Sequence, residues 1–220
     1  MLVPERKEVA YDPSRYIDIE TVEEAVAIIT TETEGLSAQQ RWNEETPALI
    51  ALMEPYLEPG SLVLDYGCGI GRLAKPLIEK CSCQVVGVDI SPNMRALAAS
   101  CVNSASFTAM DPVMFDALFQ YSSIKFDAAI AVWALQHCID LDRAIARIRD
   151  QLTRGGHLIV VNNTGRCVPV EGGEWADDGV DTHRTILAAG FEQVTLGQLA
   201  KEIAPGWMRE GTYWAVYRWE

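Results

Sequence analysis

From about residue 60 onward, short apolar stretches rich in β-branched residues alternate with stretches that have helical periodicity. The apolar stretches are too apolar for strands that expose one face to water, so each fits a strand buried on both faces. Strands that alternate with helices are typical of a parallel sheet covered by helices on both faces. The predicted strands are residues 61–66, 84–89, 106–110, 126–133 and 156–162, and the predicted helices are residues 70–80, 92–101, 112–121 and 141–152.

Capping residues mark where two of these helices begin. Ser91 precedes Pro92, and Asp111 precedes Pro112, so each helix has a capping side chain and a proline at its first position. The glycine pair that starts at Gly155 is expected to end the fourth helix.

The last part of the chain departs from the alternation of strand and helix. A helix predicted at residues 182–189 is followed by two strands, 191–199 and 212–219, with no helix between them. Consecutive strands joined by a loop pair as an antiparallel hairpin. We therefore predict an α/β fold with a mostly parallel sheet and an antiparallel last strand.

The N-terminal region has a different character. Residues 1–20 carry mixed charge with little periodicity, so we expect a loose arm, whereas residues 21–30 have one apolar helical face. Ser37 and Gln40 form a capping box in front of a helix, and a further helix is expected to begin at Pro47. The predicted division is residues 1–46 for the arm and lid helices and residues 47–220 for the main domain, together forming one globular unit.

Composition limits the partners of the chain. A chain of 220 residues forms one domain that buries roughly 70% of its unfolded surface. Its formal charge of −13 opposes binding to phosphate backbones and anionic membranes, and no apolar run is long enough to span a bilayer. The six cysteines include no CxxC pair, so we expect reduced thiols, no metal site and a cytoplasmic protein. We predict no nucleic-acid partner and no membrane insertion, and the oligomeric state is left open.

The stretch VLDYGCGIGRL contains a glycine-rich turn. Gly67, Gly69 and Gly71 are spaced like a dinucleotide fingerprint, except that Arg72 stands where the third glycine of that fingerprint belongs. Asp65, two residues before the first glycine, would repel a pyrophosphate. A carboxylate at this place suits a ligand that brings a cation or a hydrogen-bond donor.

Two further aspartates follow the second and third predicted strands. Asp89 comes 22 positions after Gly67, close to the spacing of about 20 for a carboxylate that binds ribose hydroxyls. Asp111 is placed to accept a hydrogen bond from an adenine amino group. A nucleoside with an unphosphorylated cation fits these positions, and S-adenosylmethionine is such a ligand. Asp89 and Asp111 would alternatively be plain helix caps.

The same stretches resemble the class I S-adenosylmethionine-dependent methyltransferases, specifically the type 11 small-molecule branch. VLDYGCGIGRL is similar to the first motif of that family, VVGVDISPNM to the second, and TAMDP to the segment that contacts adenine. The resemblance covers about residues 47–161. It implies a Rossmann-like seven-stranded sheet with an antiparallel last strand, an N-terminal helical flank, and S-adenosyl-L-methionine as cofactor with S-adenosyl-L-homocysteine as product.

The candidate site residues divide into one catalytic candidate and a cofactor set. His137 follows the fourth strand and is a base or a substrate contact, or alternatively a structural residue bonded to backbone. Arg41 would neutralise the carboxylate of the cofactor, unless it lies on a solvated helix face. Arg72 is a weak candidate for a ligand contact because it suits a surface position. The predicted cofactor contacts are Asp65, Gly67, Cys68, Gly69, Gly71, Asp89, Ile90, Met94, Met110, Asp111, Trp133, Ala134, Arg41 and Trp42.

A long loop, residues 162–180, follows the fifth predicted strand. Loops of this length at the carboxyl ends of strands typically determine specificity. Arg166 and Trp175 are candidate substrate contacts. The acidic residues of the loop would favour a cationic substrate, although solvation of the loop is the alternative. These acidic residues are Glu171, Glu174, Asp177, Asp178 and Asp181.

The predicted function is methyl transfer from S-adenosylmethionine to an O or N nucleophile of a small metabolite. One alternative keeps the cofactor and places the acceptor on a macromolecule, as a glycan or a protein side chain. Two alternatives of other classes are a nucleotide-binding oxidoreductase, disfavoured by Asp65 and Arg72, and a non-catalytic module that binds the cofactor.

Overall fold

The structure is a computed structural model that describes residues 6–33, 35–200 and 207–220. Its strands are β1 Leu62–Tyr66, β2 Gln84–Val88, β3 Phe107–Met110, β4 Phe126–Val132, β5 Leu152–Asn163, β6 Val168–Val170, β7 Glu174–Ala176, β8 Phe191–Gly197 and β9 Thr212–Trp219. Its α-helices are α1 Ser14–Ile17, α2 Val22–Ile29, α3 Ala38–Met53, α4 Ala74–Cys81, α5 Pro92–Val102, α6 Pro112–Phe119, α7 Leu141–Gln151, α8 Thr182–Ala188 and α9 Trp207–Glu210. No helix among these is both long enough and apolar enough to cross a bilayer.

Seven strands form one sheet in the order β3-β2-β1-β4-β5-β9-β8. Strands β1 to β5 are parallel, whereas β9 is antiparallel to both of its neighbours, β5 and β8. The prediction of a mostly parallel sheet with an antiparallel last strand is confirmed. The remaining strands, β6 and β7, form a separate antiparallel ribbon.

Helices cover both faces of this sheet, as the alternation of buried residues along β1 shows. Val63 belongs to an apolar cluster with Leu49 of α3 and Leu77 of α4. Leu64, its neighbour in the chain, belongs to a second cluster with Phe115 of α6 and Ile145 of α7. Successive side chains of a strand point to opposite faces, so one buried strand supports two cores.

One predicted helix boundary is wrong. Instead of beginning a new helix, Pro47 lies inside the continuous helix α3. Proline lacks an N–H and therefore removes one intrahelical hydrogen bond. Beyond it the helix buries Leu49, Ile50 and Met53 almost completely, which stabilises the helix past the interruption. The expected division between residues 46 and 47 falls inside this helix.

Two other element boundaries differ from the sequence-based expectation. The helix after the glycine-rich turn begins at Ala74 rather than Ile70, because residues 70–73 are still part of the turn. Gly155 does not end the preceding helix, which stops at Gln151. It lies instead inside β5 with a φ of 83°, next to a shift in register between β4 and β5.

The N-terminal arm is docked along its described part. The backbone N–H of Asp12 donates to the backbone carbonyl of Pro169 at 2.9 Å. The backbone N–H of Lys7 donates to the backbone carbonyl of Asp178 at 3.0 Å. Tyr11 forms an isolated antiparallel bridge with Val170 of β6. The expectation of a loose arm is therefore wrong for residues 6–20, and residues 1–5 lie outside the described residues.

Candidate active site

A cavity of about 390 Å³ opens at the carboxyl ends of β1, β2 and β4. Ligands of parallel α/β sheets bind at this edge, because the loops that follow the strands converge there. Most of the predicted site residues lie in its wall. These residues are Asp65, Gly67, Cys68, Gly69, Asp89, Ile90, Met94, Trp133, Ala134 and His137.

The glycine-rich turn needs glycine for two reasons. Gly67 has a φ of 81°, a conformation that strains other residues, and its N–H donates to the carbonyl of Val88 at 2.7 Å. A Cβ atom on Gly67 would lie 2.4 Å from the Cβ of Ala134. Gly71 does not line the cavity; a Cβ there would lie 2.3 Å from Val102. Gly71 therefore serves the packing of α5 against the turn.

Asp89 fixes the glycine-rich turn to the end of β2. Its Oδ2 accepts a hydrogen bond from the backbone N–H of Gly69 at 2.9 Å, and its Oδ1 accepts one from Ser91 at 2.9 Å. The cap of α5 is Ser91, whose hydroxyl accepts from the Met94 N–H, so Asp89 is not the helix cap. Burial raises the pKa of Asp89, and each carboxylate oxygen keeps a lone pair for a ligand.

Asp65 is the least satisfied charged group of the cavity wall. It is 3% exposed, and its Oδ2 has no hydrogen-bond partner among the described residues. Burial, and secondly the charge of Asp89, raise the pKa of Asp65 from 3.8 to about 7. A buried carboxylate without a partner is costly, so the site favours a ligand that brings a cation.

Arg72 is buried in the cavity wall, contrary to the expectation of a surface position. Its Nε donates to the hydroxyl of Thr46 at 2.8 Å, and its Nη2 donates to Glu45 at 3.1 Å. The guanidinium carbon lies 5.2 Å from the ring centroid of Trp42. The third nitrogen, Nη1, has no partner among the described residues.

Arg41 and Trp42 do not line the cavity, and their contact with the cofactor stays a prediction. Arg41 is 3% exposed, and its Nη2 lies 2.6 Å from Glu45. It also donates to the backbone carbonyl of Thr31. Trp42 instead packs over the guanidinium of Arg72. Both residues lie behind the wall rather than in it.

Met110 and Asp111 also lie outside the cavity wall. The Oδ1 of Asp111 accepts hydrogen bonds from the backbone N–H groups of Val113 and Met114, both at 2.9 Å. These bonds lower the pKa of Asp111 and make it the N-cap of α6. The structure therefore supports the capping alternative for Asp111, Pro112 and Val113 line the cavity, and the contact of Asp111 with adenine stays a prediction.

His137 is held by hydrogen bonds at both ring nitrogens. Nδ1 donates to the carbonyl of Cys167 at 2.6 Å, which leaves Nε2 as the acceptor from the Gln136 amide at 3.1 Å. The oxygen of that amide accepts from the Asn163 N–H at 2.7 Å, which fixes its orientation. Burial lowers the pKa of His137 to about 4. This neutral, doubly bonded ring is unsuited to act as a general base, whereas a substrate contact is compatible with its position.

Trp133 directly follows β4 and has a left-handed conformation with a φ of 55°. Its N–H donates to the Val161 carbonyl at 2.8 Å, which holds this unfavourable geometry. The ring lines the cavity and also packs against the apolar cluster beneath it. Trp133 is therefore part of the pocket wall and of the core at the same time.

The loop at residues 162–180 contributes no residue to the cavity wall. Arg166 and Asp178 form an ion pair at 3.1 Å with both side chains fully buried, so Arg166 is not free for a substrate. Asp181 caps α8. Trp175 packs on His137, with ring centroids 4.9 Å apart. The acidity of the loop does not reach the cavity, so its geometry gives no preference for a cationic substrate.

Several lining residues were not predicted. Tyr11 and Tyr16 come from the N-terminal arm, which has no periodicity from which their placement follows. Tyr66 stands directly before Gly67, a position that offered a sequence signal. Its hydroxyl accepts from Arg147 Nη1 at 2.9 Å, and Asp116 binds the other two nitrogens of the same guanidinium at 2.6 and 2.7 Å. The described residues contain no group of three or more potential metal ligands.

Comparison with known proteins finds a family model and several relatives that match part of this chain. A family model described as "Methyltransferase domain" matches residues 64–160. Phosphoethanolamine N-methyltransferase 2 of Caenorhabditis elegans is 30% identical over 104 residues, which are 47% of this chain and 24% of that protein. Ribosomal protein L11 methyltransferase of Nitrosomonas europaea is 36% identical over 101 residues, 46% of this chain and 31% of that protein. The chain thus spans less than a third of the length of these two relatives.

Solved structures share the fold over nearly the whole chain. The cyclase SpnF has a TM-score of 0.68 at 19% identity, covering 96% of this chain and 98% of that one. Haemonchus contortus phosphoethanolamine N-methyltransferase 2, in complex with S-adenosyl-L-methionine, has a TM-score of 0.58 at 18% identity, covering 88% and 55%. Residues 64–160 are thus similar to a methyltransferase domain, and the chain shares its fold with solved methyltransferase structures.

Proposed function

We propose that this protein binds S-adenosyl-L-methionine and transfers its methyl group to an O or N nucleophile of a small-molecule metabolite. The observation that carries the proposal is the unpartnered carboxylate of Asp65, buried beside a glycine-rich turn that Asp89 holds in place. The cofactor brings an ammonium group that would bind to Asp65 and ribose hydroxyls that would bind to Asp89. An oxidoreductase cofactor would place a pyrophosphate against Asp65 instead.

The cover of the cavity favours a small acceptor over a macromolecule. Tyr11 and Tyr16 of the arm, with Ile28 and Ile29 of α2, line the cavity together with the glycine-rich turn. A protein side chain or glycan would need an open groove, whereas these residues partly enclose a cavity of about 390 Å³. The acceptor therefore fits a metabolite that enters beside the cofactor.

The proposed reaction requires little chemical catalysis from the protein. The bound cofactor supplies a methyl group on a sulfonium, and in-line displacement needs alignment and exclusion of water more than it needs a charged catalyst. Apolar and aromatic side chains of the covered cavity exclude water. We propose that His137, fixed by Cys167 and Gln136, contacts the acceptor and positions it.

A calorimetric titration tests the cofactor. We expect S-adenosylmethionine and S-adenosylhomocysteine to bind at micromolar concentration, NAD and NADP not to bind, and Asp89→Ala to weaken binding about tenfold or more. Binding of NAD alone would overturn the proposal.

Transfer of a labelled methyl group tests the reaction. The likeness to a protein named as a cyclase makes this second test necessary, since the fold alone does not imply methyl transfer. We expect label to move from the cofactor to a component of a metabolite extract. Cofactor binding without transfer to small-molecule or macromolecular acceptors would leave a non-catalytic module as the function.

A further inference from the structure

Five large apolar side chains form an exposed patch on α6 and on the turn that follows it. These residues, named here the α6 patch, are Val113 (76% exposed), Met114 (52%), Leu118 (57%), Tyr121 (89%) and Ile124 (53%). The other exposed large apolar side chains among the described residues are spread over the arm, α2, the loop after β2, β7, α8 and β8. Scattered apolar residues are normal on a protein surface, whereas a concentrated patch indicates a contact.

Helix α6 is apolar on both of its faces. Its inner face is packed into the core through Phe115, whose ring centroid lies 4.8 Å from that of Phe119 and 5.9 Å from that of Phe126. Met114 and Leu118 are four residues apart, so they share the outer, exposed face. A helix that is apolar all round is normally buried. We therefore expect the outer face of α6 to be covered by another surface.

The α6 patch carries little charge in a strongly acidic chain. Residues 112–124 contain one charged side chain, Asp116, whose two oxygens accept from Arg147 at 2.6 and 2.7 Å. Arg143, also exposed, lies 3.6 Å from the same carboxylate. The formal charge of −13 makes two copies of the chain repel each other over much of their surface. Contact between two α6 patches avoids this repulsion, because the carboxylate within residues 112–124 is already neutralised by arginine.

The composition of the patch favours a protein partner over a lipid surface. Tyrosine, methionine and arginine are enriched in protein interfaces, and acidic residues are depleted there. The patch contains Tyr121 and Met114, with Arg143 beside it. A helix that binds a membrane surface usually carries lysine or arginine along its polar face, and α6 has neither.

The area of the α6 patch is sufficient for a dimer. Together the five residues expose roughly 600 Å², which is at the upper end of the largest patch on a typical monomer. Two copies in contact would bury about 1,200 Å² in total, the lower limit for a specific and stable interface. Tyr121 is the most exposed of the five, and tyrosine is a residue type that often supplies most of the binding energy.

We infer that the α6 patch binds a second copy of this chain and forms a two-fold symmetric dimer. In such a dimer, the same patch of each copy contacts its counterpart. The inference does not depend on the proposed function, because Val113 is the single residue of the patch that also lines the cavity.

Sedimentation velocity of the full chain tests the dimer. We expect the wild type to change from monomer to dimer between about 1 and 100 μM, as for an interface of this small area. The double variant with Leu118→Glu and Tyr121→Glu should stay monomeric, because it places carboxylates of both copies in the contact. Tyr121→Ala alone should raise the Kd of the dimer about tenfold or more.

A double variant on β8, with Val194→Glu and Leu196→Glu, is the matched control. These side chains are 47% and 48% exposed, and the change in charge is the same. We expect this control to dimerise like the wild type. Thermal unfolding checks that both double variants fold, which we expect because the substituted positions are exposed. If the α6 double variant unfolds at a lower temperature, Tyr121→Ala provides the test, since it adds no charge.

Three results would overturn the inference. The first is a wild type that stays monomeric at every concentration; flotation of this monomer, but not of the α6 double variant, with phosphatidylcholine vesicles would then identify a lipid surface as the occupant. The second is a dimer that the β8 control loses and the α6 variants keep, which would place the contact on β8. The third is a dimer weakened by salt, because screening should strengthen an apolar contact between two acidic copies.

Discussion

The Cα of Gly67 approaches Ala134 so closely that a Cβ on the glycine would lie 2.4 Å from the alanine Cβ. Gly67 follows β1 and Ala134 follows β4, so the contact joins the ends of two neighbouring strands in the cavity wall. Neither residue has room for another carbon atom without a shift of the backbone. This contact explains in physical terms why glycine is needed here.

Gly67→Ala should therefore destabilise the protein by about 3 kcal/mol or more, since backbone strain and overpacking add. Gly60→Ala is the control, because Gly60 has a similar φ of 89° with no atom near its Cβ position. That variant should cost about 1 kcal/mol. Urea unfolding measures both, and equal losses would show that the contact with Ala134 has no effect.

Asp65 should make the ligand-free protein less stable at neutral pH than in mild acid. Its pKa is about 7 in the folded state and 3.8 ordinarily, so the folded state holds a proton between these values that the unfolded state has lost. The free energy of unfolding therefore falls as pH rises from about 4 to 7, and this contribution is constant above pH 7. Asp65→Asn should lack this decrease. Unfolding curves of the two proteins across that range measure the difference, and parallel profiles would contradict the raised pKa.

Substitution of His137 should reveal a positioning role. We expect His137→Gln to lower kcat/KM by less than about a hundredfold, mainly by raising KM. Loss of a general base would instead lower the rate by about a hundredfold to ten-thousandfold. Because the pKa of His137 is about 4, titration of this residue should not change the rate of the wild type near pH 6.5. The pH profiles of the wild type and of the variant should therefore be alike in that range. A change of the rate with pH near 6.5 that the wild type shows and the variant lacks would instead support a general-base role for His137.

The ion pair beneath the arm should stabilise the loop at residues 162–180. Asp178→Ala leaves Arg166 buried without its carboxylate, which should cost about 3–5 kcal/mol. Arg184→Ala removes an exposed pair with Asp181 and should cost less than about 1 kcal/mol. Urea unfolding compares them, and a small effect for Asp178→Ala would mean that water reaches the guanidinium.

Spacing along the sequence was sufficient to predict the residues at the carboxyl ends of the first two strands. Asp65 and Asp89 were predicted from their distance to Gly67, and the structure brings both to the cavity because parallel strands end at one edge. Spacing did not distinguish between two local roles of one residue. Asp111 has the position of an adenine contact and also that of a helix cap, and in the structure its Oδ1 accepts from two backbone N–H groups of α6.

Tertiary pairing was not readable from the sequence. Arg41 and Arg72 are both basic residues near the motifs, and their difference depends on how Glu45 divides its two oxygens between them. Arg41 is four residues before Glu45 on α3, so local geometry already favours their pair, whereas the second pair joins residues 27 positions apart. Tyr11 and Tyr16 were missed because an aperiodic arm contains no repeating pattern to indicate where it docks.

The position of β9 between β5 and β8 has a consequence for the order of folding. Among the described strands, β8 pairs with β9 alone, so residues 191–197 have no place in the sheet until residues 212–219 have paired with β5. This edge of the sheet therefore depends on contacts distant in sequence, which form slowly, while β1 to β4 are able to associate first. In a native-state hydrogen-exchange experiment, opening of β9 should expose the amides of β8 in the same step.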